Sequence, residues 1–431
     1  REVLPPPQAL ALKKPHTEHF DRLETRAPKQ REAALMAALP KLVAHAKRRA
    51  PGFGRILEHT NPARINSRKA LAALPVTRKS DLAELQVKER PLGGLNATPV
   101  AKLAKIFMSP GPIYEPEGGV GNGWRTARAL YAGGFRAGDL VANTFAYHFT
   151  PAGSMLESGA LAIGCTVVPA GVGRTEMQIA AIHDLKINAY IGTPSFLKLI
   201  VEKAGEMGGD ISSLKKAHVG AEYLPPTLRQ VMLERGIRVT QSYGTADLGS
   251  LAYESLAPDG SVNEGMILDE GLLLEIVRPG TGDPVPAGEV GEVVITTFNR
   301  DYPLVRFGTG DLSAILPGRS PCGRTNTRIR GWMGRADQST KVRAMFVTPK
   351  QVNEIVRRHP EVLKARLVVE SETGNDRMTL KCEAKARPAG LGEAIADSIR
   401  ELTKLRGEVE LVSPGSLPND GKVIEDLRKY G

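Results

Sequence analysis

"NAYIGTPSFLKLIVEKAGEM", residues 188 to 207, reads as a short apolar strand, NAYIG, that turns through Thr193, Pro194 and Ser195 into a helix. The same alternation surrounds it. Upstream, DLVANTFAY (139–147) is a strand candidate, MLESGALAIG (155–164) a helix, CTVVPAG (165–171) a strand and EMQIAAIHDLK (176–186) a helix. Downstream, KKAHVGAE (215–222) and IRVTQSYG (237–244) add two short strands. Strands that alternate with helices need crossover connections, so the expectation is α/β with a parallel sheet. In such sheets the loops at the strand C-terminal ends form the ligand crevice.

Working outward, the texture changes after Tyr243. LLLEIVRPGTGDPVPAGEVGEVVITTF (272–298) reads as strand, turn-rich loop, strand. From about Gly334 a compact α+β module follows: helix PKQVNEIVRRH, strands KARLVVES and RMTLKCEA, helix GLGEAIADSIRELTKL and strand EVELV. Toward the N-terminus, Leu35, Leu39, Leu42, Val43 and Ala46 recur at helical spacing, and LPVTRKSDLAEL (74–85) reads as a loop with Thr77 or Ser80 capping a short helix. The expected division is a large α/β domain over residues 1–335, with a β-rich part at about 255–333, and a small C-terminal α+β domain over 336–431.

Composition agrees with more than one core. The chain has 431 residues, 41% of them hydrophobic, whereas single cores rarely grow beyond about 250–300 residues. The formal charge of +11 is spread along the chain rather than gathered into basic runs with interleaved aromatics, so anionic small ligands such as nucleotides or coenzyme A are expected and nucleic acid is not. Three separated cysteines, Cys165, Cys322 and Cys382, argue against a disulfide framework. REVLPPPQALALKKPH holds no apolar core fit for a signal peptide, and no run of about 18 apolar residues suggests a membrane span. The cytoplasm is the expected location.

One further stretch draws attention. MSPGPIYEPEGG (108–119) is Gly- and Pro-rich and follows a short apolar run, as phosphate-cradling loops do. Yet it carries three prolines, which donate no N–H, and two glutamates, which repel phosphate.

Five stretches, in this order, resemble the motifs of the adenylate-forming acyl-CoA synthetase superfamily, and in particular its phenylacetate–CoA ligase branch. They are VGAEYLPPTLR (219–229), QSYGTADLG (241–249), PLVRFGTGDLS (303–313), GRADQSTKVRAMFVTPKQVNEIV (334–356) and LPNDGKV (417–423). The resemblance implies the fold of adenylate-forming enzymes and a reaction in two halves: a carboxylate attacks the α-phosphate of ATP, giving acyl-AMP and pyrophosphate, and coenzyme A then displaces AMP. It implies ATP/AMP, Mg²⁺ and coenzyme A as the cofactors, with an aromatic, phenylacetate-like acid as the substrate.

The same resemblance implies roles. Gly220, Ala221, Glu222, Ser242, Tyr243, Gly244 and Thr245 fall at nucleotide-binding positions, with Tyr243 stacking on adenine. Asp311 matches the ribose-binding aspartate, suited to accept from two hydroxyls at once, and Arg335 the cation beside it. Asp247 occupies the place of the Mg²⁺-binding glutamate, one methylene shorter, and Ala246 that of a phosphate-binding hydroxyl residue. Lys422 matches the lysine that enters the site during adenylation, although Ile424 and Glu425 replace the basic residues that follow it. Asp337 matches the hinge of the small domain, and Ala344 replaces a glycine of the pantetheine tunnel.

Phe145, Tyr147, His148 and Phe149 are the expected acid pocket, His148 being either a polar contact to the carboxylate or a core histidine. The branch's small zinc site is expected to be absent, because Ser320, Asn326 and Ser255 stand at its ligand positions and Cys322 alone remains. Neither a membrane nor a nucleic acid is expected as a partner, and a homodimer is the default.

Against the family's phosphate loop, approximately SSGTTGKPT, the stretch SPGPIYEPE aligns without a gap, with Ser109, Gly111 and Pro116 coinciding. Pro110 and Pro112 replace hydroxyl residues, Tyr114 a glycine and Glu115 the lysine. A glutamate about 6 Å from a phosphate charge costs roughly 1 to 3 kcal/mol per charge pair at effective dielectrics of about 20 to 80. Three functions therefore remain open: an active aryl-CoA ligase, a degenerate member that binds nucleotide or acyl-CoA without turnover, and an adenylating enzyme with a different acyl acceptor.

Overall fold

The helix Pro194–Met207 forms because Leu197, Ile200, Val201 and Ala204 repeat at helical spacing and are all buried. Thr193 caps it by accepting from the Phe196 N–H at 3.3 Å, Pro194 occupies its first turn, and Gly208 ends it in the left-handed region, φ 66°. Truncating Leu197 to alanine would leave a cavity at the centre of this packing and cost about 2–5 kcal/mol.

In the computed structural model, which describes residues 18–119, 121–278, 281–336, 340–343, 345–372, 375–418 and 423–428, this helix covers a nine-stranded sheet. Five of its strands are parallel: Thr166–Val168, Leu140–Asn143, Ala189–Gly192, Lys216–Val219 and Arg238–Thr245, in that spatial order. Helices pack on both faces. Ala142, Tyr190, Ala217, Val219 and Val239 meet Leu197, Ile200, Leu228 and Met232 on one side. Val141, Ala189 and Ile191 meet Leu130, Phe135 and Ala160 on the other. The parallel α/β reading of residues 139–244 is thus the observed architecture.

The β-rich stretch is divided rather than separate. Leu272–Val277, Gly291–Thr297 and Phe307–Ser313 form a four-stranded sheet with Thr77–Arg78, whereas Met266–Leu268, Ile315–Leu316 and Arg328–Ile329 extend the nine-stranded one. Thr77 therefore does not cap a helix: it pairs in parallel with Phe307. Ser80 does not cap one either, since its hydroxyl donates to Asp81 at 3.1 Å and the helix Leu82–Lys88 has no side-chain cap.

Residues 362–426 supply a third sheet, ordered Glu408–Val412, Asn375–Ala384, Val362–Glu372, Ile424–Asp426, packed on the helices Pro349–Arg358 and Leu391–Thr403. MSPGPIYEPEGG is not an open loop. Lys105–Ser109 and Ile113–Glu117 pair as an antiparallel hairpin, with Ser109 opposite Ile113 and Phe107 opposite Glu115. Among the described residues no helix is long and apolar enough to cross a membrane.

Candidate active site

The motif residues converge where the parallel strands end. Asp311, on Phe307–Ser313, is buried and accepts three bonds: Oδ2 from the Tyr243 hydroxyl at 2.8 Å, Oδ1 from Trp332 Nε1 at 3.0 Å and from Arg335 Nη1 at 2.8 Å. Arg335 also donates to the Thr309 carbonyl at 3.0 Å, and its guanidinium carbon lies 5.3 Å from the Phe346 ring centroid. Burial, then the Asp311 charge, holds the Tyr243 phenol well above its ordinary value, so it stays a donor. The result is a fixed carboxylate between an aromatic ring and a cation.

Glu222 lies half-buried beyond the Lys216–Val219 strand and accepts from the Ser195 N–H at 3.3 Å, a group at the start of the helix Pro194–Met207. Its carboxyl is raised by burial, with the Ser195 bonds opposing, and to a lesser degree raised by Asp376 and lowered by Lys341. Ala221 before it holds a left-handed backbone, φ 67°, which costs a residue with a Cβ and re-aims the chain at the strand end. Lys341, on Thr340–Val342, is drawn below the usual lysine range by burial, while Asp311 and Glu222 pull it upward. Sequence reading passed over this lysine.

It also passed over Lys79. The parallel pairing of Thr77–Arg78 with Phe307 and Gly308 carries the following turn, Lys79–Asp81, to the site, where Lys79 Nζ donates to Asp247 Oδ2. Asp247 is buried, and its other oxygen, Oδ1, has no hydrogen-bond partner among the described residues. The Tyr302 hydroxyl is likewise buried and without a partner among the described residues, and its phenol is raised by burial, then by Asp247 and Glu115. A buried anionic oxygen without a partner, next to a second carboxylate, fits a hard cation such as Mg²⁺, which binds one or two carboxylates together with substrate phosphates.

Glu115 is that second carboxylate. It is fully buried and takes the Ser109 N–H at 3.1 Å and the Ser109 hydroxyl. In a phosphate loop those two donors would face the nucleotide. Here an internal carboxylate fills them. Burial, then Asp247, raises the Glu115 carboxyl to about 7, with Lys79 and Ser109 opposing.

The four expected acid-pocket residues do not line one wall. Phe145, two residues beyond the strand Leu140–Asn143, packs in the core with Leu130, Val141 and Ile191. His148 and Phe149 are exposed; only Tyr147 is half-buried, accepting from Asn143 Nδ2 at 2.8 Å and donating to Glu157 at 2.6 Å. Ser242 stands on the face of its strand opposite Tyr243 and bonds His218 at 3.0 Å. Gly220, Gly244 and Thr245 lie at the same strand ends. Gly111 sits in the hairpin turn. Lys422, Asp337 and Ala344 lie outside the described residues.

At the expected vestige of the zinc site, Ser320 Oγ is 3.0 Å from Cys322 Sγ, and Arg324 donates to that sulfur at 3.4 Å and to Glu24 at 2.5 Å. Burial opposes the Cys322 thiolate, but the bonds from Ser255, Ser320 and Arg324 outweigh it and bring the thiol below its ordinary value. Asn326 donates to the Leu268 carbonyl at 2.8 Å.

Residues 121–299 match the family described as AMP-binding enzyme. The phenylacetate–coenzyme A ligase of Thermus thermophilus is 31% identical over 94% of this chain and 99% of its own length. The chain belongs to the phenylacetate–coenzyme A ligase family. A second member, from Escherichia coli, is 28% identical over 95% of this chain and 98% of its own. The solved structure of a 2-hydroxyisobutyryl-CoA ligase in its thioesterification state covers 97% of this chain and 94% of its own, with 23% identity and a TM-score of 0.80, so the fold is shared. As an adenylate-forming ligase, the protein activates a carboxylic acid with ATP to acyl-AMP and passes the acyl group to coenzyme A.

Proposed function

We propose that this family member activates an aromatic acid, and that it holds the nucleotide phosphates with Lys79 and Asp247 rather than with the 108–119 hairpin. The observation that carries the reading is the Lys79–Asp247 pair, a buried carboxylate with one oxygen on the lysine and the other without a partner. A lysine can exchange an aspartate for a phosphate oxygen at small cost, because both partners are anions of similar reach. The hairpin cannot serve in its place, since Glu115 already takes its Ser109 donors.

Asp311 and Arg335 are the ribose contacts in this reading, and Tyr243 presents its ring to adenine. Trp332 and Arg335 keep the Asp311 carboxylate oriented. Mg²⁺, held by Asp247, would neutralise phosphate charge. Lys79 adds a fixed positive charge on the same side, which counts most where charge builds on the phosphates. Lys422 would complete the first half-reaction from the small domain, 336–431, turning about Asp337 relative to residues 1–335. Aromatic acids are favoured because the relatives are named for phenylacetate and because the half-buried Tyr147 ring borders the strand ends.

The test is product identification. Incubation with ATP, Mg²⁺, coenzyme A and a panel of aryl acids should yield AMP and an aryl-CoA thioester by mass spectrometry. ADP, or no consumption of any acid, would contradict the reading, and pyrophosphate without thioester would point to another acyl acceptor.

A further inference from the structure

His218 and Ser242 build a polar end to the space at the strand termini, on the face of the sheet away from Tyr243, so Ser242 is assigned to the acid rather than to the nucleotide. The strands register so that Asn143, Ile191, His218 and Thr240 stand in one row on one face of the sheet. Two residues further toward the ligand end, Ser242 carries a hydroxyl while its neighbour Gly220 carries no side chain. Among the described residues, a Cβ at Gly220 would meet only one atom within 4 Å, the Ser242 carbonyl oxygen at 3.7 Å. Both residues are partly exposed, so the space beside Ser242 opens to the crevice. Tyr147 stands over the same face, bonded to Asn143.

The hydrogen-bond chain fixes what Ser242 offers. His218 is 1% exposed and neutral, its imidazole held down to about 3 by burial. Its Nδ1 lies 3.0 Å from Thr240 Oγ1 and its Nε2 lies 3.0 Å from Ser242 Oγ. We assign the tautomer protonated at Nδ1, in which Thr240 Oγ1 accepts from Nδ1–H and turns its own hydroxyl toward the Ala217 carbonyl 3.5 Å away. Nε2 then carries the ring's free lone pair and accepts from the Ser242 hydroxyl. With its proton so committed, Ser242 Oγ faces the open space as an acceptor.

We propose that this space selects carboxylic acids whose body carries a hydrogen-bond donor, a hydroxyl or an amine, which Ser242 Oγ accepts. The proposal rests on the acid-activating reading above and narrows its substrate. An apolar substituent in the same position would strip water from Ser242 without replacing the bond, which is why a site built to bond a substrate OH or NH discriminates against the analogue lacking it. Thr240 and His218 act through Ser242 as positioning residues.

The experiment compares matched acids, phenylacetate against its hydroxy and amino derivatives, in the wild type and in Ser242→Ala, Ser242→Thr and His218→Gln. Pyrophosphate release gives kcat/KM for each acid, and titration calorimetry of the same acids gives binding. The wild type should favour donor-bearing acids by about tenfold or more, Ser242→Thr should keep that ratio, and Ser242→Ala should bring it to within about twofold. A preference for the unsubstituted acid, or an equal loss for both acids in Ser242→Ala, overturns the proposal. Pyrophosphate release with no acid at all overturns the ligase reading instead, and the calorimetric ratio then decides the pocket on its own.

Discussion

At the scale of single residues, Glu115 is the sharpest departure from a nucleotide-holding site and has a measurable cost. Its carboxyl is raised to about 7 by burial and Asp247. Below about pH 4.5 the group is protonated in both folded and unfolded chains and its burial is cheap; above about pH 7 both states carry the charge and the folded state bears the desolvation. Stability from this group therefore falls as pH rises from about 4.5 to 7. Glu115→Gln should be more stable than the wild type at pH 8, on the order of 1–3 kcal/mol in urea unfolding, with the gap closing by about pH 4.5. A gap that does not change with pH would contradict a charged, buried Glu115.

His218 has the opposite sign. Its imidazole is lowered from 6.5 to about 3 by burial, so the unfolded chain binds the proton first and stability is lost as pH falls through that window. Replacing His218 with glutamine, which keeps donor and acceptor capacity without titrating, should flatten the acid limb of the unfolding profile. An unchanged acid limb would place the titration elsewhere. Asp311 is a third single-residue test: Asp311→Ala should lower kcat/KM for ATP by about 10²-fold or more, whereas the wild-type value would remove the ribose role.

At the scale of elements, the sequence made the parallel sheet readable and hid the hairpin and the lysine. Strand and helix periods across 139–244 are local properties, so NAYIG and PSFLKLIVEKAGEM announce themselves. Residues 108–119 read as a loop because Pro110, Pro112 and Pro116 depress strand propensity, yet a two-stranded ribbon tolerates proline wherever no ladder N–H is needed, and 105–117 pair as a hairpin. Lys79 was invisible for a different reason. Its place depends on the parallel pairing of Thr77 with Phe307, a contact across 230 residues that no local pattern encodes. Phe145 reads as a pocket residue because aromatic residues cluster around it in sequence, but the chain past Leu140–Asn143 turns its ring into the core. Restoring TTGK over 112–115 tests the element as a whole: ATP affinity should change little if Lys79 carries the phosphates, and a gain of tenfold or more would return that role to the hairpin.

At the scale of the molecule, the proposed division has a large α/β body and a small α+β unit share the site, and Lys341, past the proposed boundary at 335, feels the charges of Asp311 and Glu222 before it. Lys422→Ala should suppress pyrophosphate formation while leaving thioester formation from supplied acyl-AMP nearly intact; equal losses in both halves would contradict two closures of one pocket. The family resemblance was legible because its motifs are contiguous, whereas the phosphate contact proposed for Lys79 was not.

The most direct measurement is single-turnover pyrophosphate release with ATP, Mg²⁺ and an accepted aryl acid, in the wild type and in Lys79→Ala. The account predicts release by the wild type and a fall of about hundredfold or more in the variant; release at the wild-type rate from Lys79→Ala would contradict it.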